Sequence, residues 1–256
     1  MKSPIQLKEK KFNCSRELKE MIPTGSIVNS FLFLTGELEF ELLKNNIFVV
    51  SHTSKYVVYE FWRCMMIDPV RVANVIEALA PIENSKTFYF HQEQWPKYKD
   101  PFVRSAYFFL LNYYSSTGMI SSGAFEERDS LPLAITRVRN FSAENFHIQF
   151  DGGKEFSKVT QDLEKTDFLF FPIGDFSFNR FEEGVPIGFE ETKIYHRHVK
   201  RFFDETDKKC VLAYFKHPHL FSSYKDYNIT MLDQYGRKIE TKKNCKEMLI
   251  ANFRTD

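Results

Sequence analysis

The chain reads as an α/β fold: a mostly parallel sheet with helices on both faces and a helical stretch inserted midway. Three observations predict it. Two nearly continuous apolar runs, Ser26 to Leu34 and Ile47 to Ser51, each lead into a stretch with helical spacing, as strands buried on both faces of a doubly wound sheet do. Strand-helix alternation stops near Glu60 and resumes near His147. The chain then closes on two strand-like runs, near enough in sequence to pair antiparallel at a sheet edge.

Taken in order, Lys8 to Met21 is charged, and Ser15-Arg16-Glu17-Leu18 is a weakened form of the Ser-x-x-acid helix start. Pro23-Thr24-Gly25 ends that helix. The first buried strand is followed by a helix from Gly36 to Asn45 with Leu38, Leu42 and Leu43 on its apolar side, then by the strand Ile47 to Ser51 and a helix from Ser54. In the inserted stretch the clearest element is Pro101 to Tyr114, where Asp100 stands at the cap and Pro101 in the first turn. Afterwards come the strand His147 to Phe150, a helix over 157–163, the strand Asp167 to Phe171 ending in a tight turn, a helix from Glu191 to Glu205, and the strand Lys209 to Phe215. Asn228 to Asp233 and Lys246 to Phe253 are the closing pair.

Composition narrows the chemistry. The 256 residues suit one α/β unit carrying an insertion, and a formal charge of +1 supplies no global field for gathering nucleic acid, so any such contact needs a local basic face. With 28 Phe but only 10 Gly, the chain is rich in core-filling rings and poor in the backbone-exposing loops that nucleotide sites use. Surplus large apolar side chains must go to a core or an interface. Cys14, Cys64, Cys210 and Cys245 are widely spaced with no Cys-x-x-Cys pair, which suits a reducing, cytoplasmic setting. Met1 to Lys11 has no apolar stretch of a signal peptide, and no run of about 18 apolar residues is present to span a bilayer, so a soluble protein without a membrane partner is expected.

Several residue groups invite a chemical reading. His196 and His198, two apart on a helix, point to different faces and should be solvated rather than metal-binding, and His217-Pro218-His219 offers a second pair. Lys193, Arg197, Lys200 and Arg201 form a basic helix side that Asp204, Glu205 and Asp207 offset. Gly152-Gly153-Lys154 lacks the other residues of a phosphate loop and reads as a turn. In the insertion, Lys97, Lys99, Arg104, Arg128, Arg137 and Arg139 interleave with Trp95, Tyr98, Tyr113 and Tyr114. That pattern serves either phosphate contact with base stacking or the subdomain's own core.

Four places carry a likeness. They are Phe12-Asn13; the run Ile27-Val28-Asn29-Ser30-Phe31-Leu32-Phe33-Leu34-Thr35-Gly36; Asp100-Pro101-Phe102-Val103-Arg104 through Leu110-Leu111-Asn112-Tyr113 and Gly118; and the closing strands from Cys210 to Phe253. In order and spacing these resemble the Dam-type family of DNA adenine methyltransferases of bacteria and phages. The resemblance implies a Rossmann-like methyltransferase sheet built from residues 1–59 and 147–256, and a helical insertion at 60–146 resembling a target-recognition domain. It also implies where function should lie. The places of the glycines that let the backbone approach S-adenosylmethionine fall to Phe33 and Thr35, in a loop that also holds Phe31 and Gly36, and Ser51 or His52 stands where the ribose carboxylate belongs. The catalytic Asp-Pro-Pro-Tyr reads Phe171-Pro172-Ile173-Gly174, with Asp175 as the nearest replacement carboxylate.

The expectation is thus a catalytically inactive relative that holds no cofactor and is retained for binding double-stranded DNA or a protein. Lys97, Lys99, Arg104, Asn112, Tyr113, Arg128, Arg137 and Arg139 are its candidate DNA contacts. An active enzyme using S-adenosylmethionine through divergent motifs, and a phage structural or interaction protein that serves as a virion part or a homo-oligomer, are the alternatives.

Overall fold

A computed structural model of the protein describes residues 2–5, 11–152, 154, 156–161, 163, 165–177, 179–180 and 192–254. Its elements, in chain order, are α1 (Ser15–Met21), β1 (Ile27–Ser30), α2 (Glu37–Leu43), β2 (Phe48–Thr53), α3 (Tyr56–Ile67), α4 (Pro69–Leu79), α5 (Ser85–Gln94), α6 (Pro101–Tyr114), α7 (Leu131–Arg139), β3 (Phe146–Phe150), α8 (Phe156–Gln161), β4 (Phe168–Gly174), β5 (Asn179–Arg180), β6 (Thr192–Lys193), α9 (His196–Glu205), β7 (Lys209–Phe215), α10 (Pro218–Ser223), β8 (Asn228–Leu232) and β9 (Glu247–Ala251). Seven strands form one sheet in the order β3-β2-β1-β4-β7-β9-β8. All run parallel except β9, which lies antiparallel between β7 and β8. The two-residue strands β5 and β6 pair with each other alone. From β1 the chain steps outward through β2 to β3, then crosses back to β4 on the other side of β1, so strand order reverses between β1 and β4. In open α/β sheets that reversal opens a crevice at the carboxyl ends of the strands.

Helices cover both faces. Val28, Val49, Phe146, Phe170, Val211 and Leu249 face one side, packed with α2, α3 and the helices that follow; Leu169, Phe171, Leu212, Tyr214 and Met248 face the other, under Val159, Val199, Phe203 and Leu220 of α8 to α10. Both faces being apolar explains why these strands read as continuous hydrophobic runs. Within the inserted stretch α4 packs on α6 and α7, while α3 reaches back to β2 and β3. Trp62 of α3 meets the rings of Phe33, Phe40, Phe141 and Phe146, and its indole N–H donates to the Leu34 carbonyl at 2.7 Å. The helices of residues 60–146 therefore share one continuous core with the sheet. Asp100 caps α6 as expected, accepting from the N–H groups of Phe102 and Val103 at 2.7 and 3.4 Å, with Pro101 in the first turn.

Four sequence expectations need correction. The run Ser26 to Leu34 is strand only to Ser30, because Leu32 adopts a positive φ of 59° that turns the chain. Strand β2 continues past Ser51 to Thr53, which puts Ser51 and His52 inside the strand rather than at its end. Strand β4 runs on to Gly174 through a register shift between Pro172 and Gly174, so Phe171-Pro172-Ile173-Gly174 is strand and not turn. Helix α1 is capped by Cys14, without a side-chain hydrogen bond, and Ser15 lies inside it.

Lys8, Gly153, Asp162 and Glu191, which those expectations include, lie outside the described residues; α9 itself begins at His196. All four cysteines are buried and unpaired. No helix among the described residues is long and apolar enough to cross a membrane.

Candidate ligand crevice

The crevice at the β1/β4 reversal is built from the chain leaving β1. Phe31 donates its N–H to the Phe170 carbonyl of β4 at 2.9 Å, and two residues on Phe33 donates to the His52 carbonyl of β2 at 3.0 Å. The loop is thus stitched to both neighbouring strands. The amides of Phe31 and Phe33 are therefore spent within the sheet.

The side chains close what the backbone leaves. The Phe31 ring lies between His52, at 4.6 Å and 14°, and Phe171, at 4.8 Å and 12°. All three are buried: Phe31 is 3% exposed, His52 0% and Phe171 1%. Three near-parallel rings therefore form a slab across β2, β1 and β4. Phe33 turns to the other face, against Trp62 and Phe146. Gly36, at φ +74°, sits so close to Phe40 that an added Cβ would lie 2.7 Å from its ring, which makes glycine obligatory at the start of α2. Thr35 offers its carbonyl to the Ser3 hydroxyl at 2.5 Å.

A buried polar chain backs the slab. His52 Nε2 meets Asn29 Oδ1 at 2.8 Å, His52 Nδ1 meets Asp151 Oδ1 at 3.1 Å, and Asn29 Nδ2 donates to Thr166 Oγ1 at 2.9 Å. Both imidazole nitrogens face oxygen atoms of the chain itself. Ser30 Oγ donates to the buried carboxylate of Glu39 at 2.6 Å. Ser51 Oγ is buried and has no hydrogen-bond partner among the described residues.

Phe171 gives its ring to the slab, Ile173 points into the second core, and Pro172 and Gly174 are buried, so this tetrapeptide presents no carboxylate to the crevice. Asp175 is the first residue beyond β4 and is exposed. Phe12 stacks on Phe215 at 4.6 Å. The Asn13 N–H donates to both oxygens of Glu247 at 2.8 and 2.9 Å, and its carbonyl is 2.0 Å from where a Cβ on Gly236 would stand. That segment is anchored to β9 and to the turn before it. Burial holds the Glu247 carboxyl above its ordinary range, opposed by the hydrogen bonds from Asn13.

The expected DNA contacts separate into two groups. Arg104 forks onto Glu60, with Nε donating to Oε1 at 2.6 Å, and also donates to the carbonyls of Tyr98 and Lys99. Asn112 is buried and donates to the Gly118 carbonyl, and the Tyr113 hydroxyl meets Ser130 Oγ at 3.2 Å. Arg139 pairs with Glu77 at 2.7 Å and Asn74 at 2.8 Å, and Arg128 lies over the Tyr113 ring at 5.2 Å, its pKa lowered by burial. Lys97, Lys99 and Arg137 are exposed.

One grouping was not visible in the sequence. Phe176, just past β4, is sandwiched between His196 at 4.3 Å and His217 at 4.6 Å, and His219 stacks on His217 at 5.5 Å. His196 is half-buried rather than solvated: Nε2 donates to the Ser177 carbonyl and Nδ1 meets the Tyr214 hydroxyl at 3.1 Å. Burial lowers its pKa. His198 is exposed, as its spacing predicts. The rings come from three separate segments, so no linear spacing announces them. No cluster of metal-ligating side chains occurs among the described residues.

Compared with protein-family models and with curated proteins, the chain matches none.

Proposed function

We propose that this chain is a methyltransferase-like pseudoenzyme: it keeps the sheet of a DNA adenine methyltransferase and works by binding, without transferring a methyl group. The observation that carries the reading is the His52–Phe31–Phe171 ring slab at the strand-order reversal, where a sheet of this topology would otherwise receive its ligand. The mostly parallel sheet with an antiparallel strand near its edge agrees with the resemblance in the amino-acid sequence. Transfer to an adenine amine needs an acceptor held in line with the sulfonium methyl, and the strand-end tetrapeptide supplies no carboxylate or aromatic ring for it.

One observation favours the active alternative. Because β4 extends to Gly174, Asp175 stands at the strand end, the position a catalytic carboxylate would need. The two readings part on cofactor binding. Calorimetry with S-adenosylmethionine separates them, together with transfer of labelled methyl to unmethylated DNA. The pseudoenzyme gives neither heat nor incorporation; the alternative gives both, with incorporation lost in Asp175→Asn.

A further inference from the structure

At the carboxyl end of β7 the next rung of the β7–β9 ladder places Lys216 directly opposite Lys246, the Lys216 N–H donating to the Lys246 carbonyl at 2.8 Å. Like charges directly opposite in an antiparallel pair repel. Lys216 Nζ reaches the Lys243 carbonyl at 3.4 Å, and Lys242, in the turn Lys242–Asn244, holds its ammonium 4.7 Å from the Phe221 ring of α10. All four lysines are exposed, and among the described residues none is paired with a carboxylate. Elsewhere on the surface comparable cations are neutralised, as Lys200 by Asp204 at 2.5 Å, Arg201 by Glu205 at 2.9 Å and Lys238 by Glu17 at 2.8 Å. A cluster with no carboxylate partner among the described residues, and with two members brought together by strand pairing, is complementary to a polyanion.

The ring array lies on the same edge. His217 follows Lys216 directly, and the rings of His196, Phe176, His217 and His219 succeed one another at mutual angles of 28°, 24° and 16°, ending on the exposed His219. Aromatic and imidazole faces accept unstacked bases, whereas a lipid headgroup or a base-paired duplex has no such partner to offer.

We propose that this edge binds single-stranded nucleic acid, with phosphates on Lys216, Lys242, Lys243 and Lys246 and a base stacked on His219. The proposal goes beyond the pseudoenzyme reading, since it is measured without the cofactor. The test is fluorescence anisotropy of the full chain with a labelled thymidine oligonucleotide about 20 nucleotides long, across a salt series. Replacing the four lysines by Gln is expected to cut affinity at least tenfold and to flatten the salt slope by about two to three units, while the four-Arg variant binds like the native chain. His219→Ala is expected to weaken binding about fivefold or more at unchanged salt slope. Should the Gln variant melt early, His219→Ala and the four-Arg variant carry the test, because their altered side chains are exposed. Undiminished binding by the Gln variant or by His219→Ala, equal affinity for a duplex of the same length, or binding only to phosphatidylserine vesicles would each overturn the proposal.

Discussion

The rings of Phe31 and His52 lie face to face, 4.6 Å apart and 14° from parallel, at the place where the strand order of the sheet reverses. Phe31 is simultaneously the residue whose N–H ties the loop to β4. One residue thus ties the strands on either side of the reversal with its ring and its backbone together.

Phe31→Ala removes the middle ring of the slab and leaves a cavity between His52 and Phe171. It should cost about 3–5 kcal/mol, the range for deleting a buried phenyl group, read as a fall in the urea midpoint at unchanged m-value. A loss below about 1 kcal/mol would mean that the rings are not packed as described.

The helical layer gives a second prediction. Glu60 and Arg104 form a largely buried ion pair, their side chains 7% and 19% exposed. Arg104→Ala leaves the Glu60 carboxylate buried and unpaired and should destabilise the fold by about 3–5 kcal/mol. Its effect is structural, so the double variant Glu60→Met, Arg104→Met should recover much of the loss in a thermal melt. No recovery would place the loss in the Arg104 hydrogen bonds to the Tyr98 and Lys99 carbonyls rather than in the ion pair.

How far the sequence alone reaches can be judged at particular residues. The strands around β1 were legible because both their faces are apolar, and α6 because Asp100 and Pro101 mark its start in any context. The end of β4 was not. Pro172 and Gly174 are turn formers by local preference, yet the register shift between them lets the strand continue past a residue with no N–H to donate. The resemblance directs attention to Phe33 and Thr35, but the ring stacked across the strand-order reversal is Phe31, and its stack needs residues from β2 and β4 whose registry no single segment records. Lys97, Lys99, Arg104, Arg128, Arg137 and Arg139 look alike as letters; only the fold tells that Arg104 is spent on Glu60.

Acid should loosen the edge beside β7. The pKa of His196 is lowered from 6.5, chiefly by burial and further by the nearby His217, while its bond to the Ser177 carbonyl acts the other way. A depressed folded value means that the neutral ring is favoured in the fold. This stabilisation is fully present above about pH 6.5 and is lost as pH falls through the lower folded value. Urea unfolding at about pH 7.5 and about pH 5.5 should show a smaller loss of stability for His196→Gln than for the native chain. An equal loss in both would assign the acid sensitivity to other groups.

The central proposal, a methyltransferase-like sheet whose own side chains occupy the ligand crevice, is tested most directly by isothermal calorimetry of the full chain with S-adenosylmethionine. The account predicts no saturable heat up to millimolar cofactor, corresponding to binding weaker than about −4 kcal/mol. A dissociation constant near or below about 10 micromolar, roughly −7 kcal/mol, would contradict it.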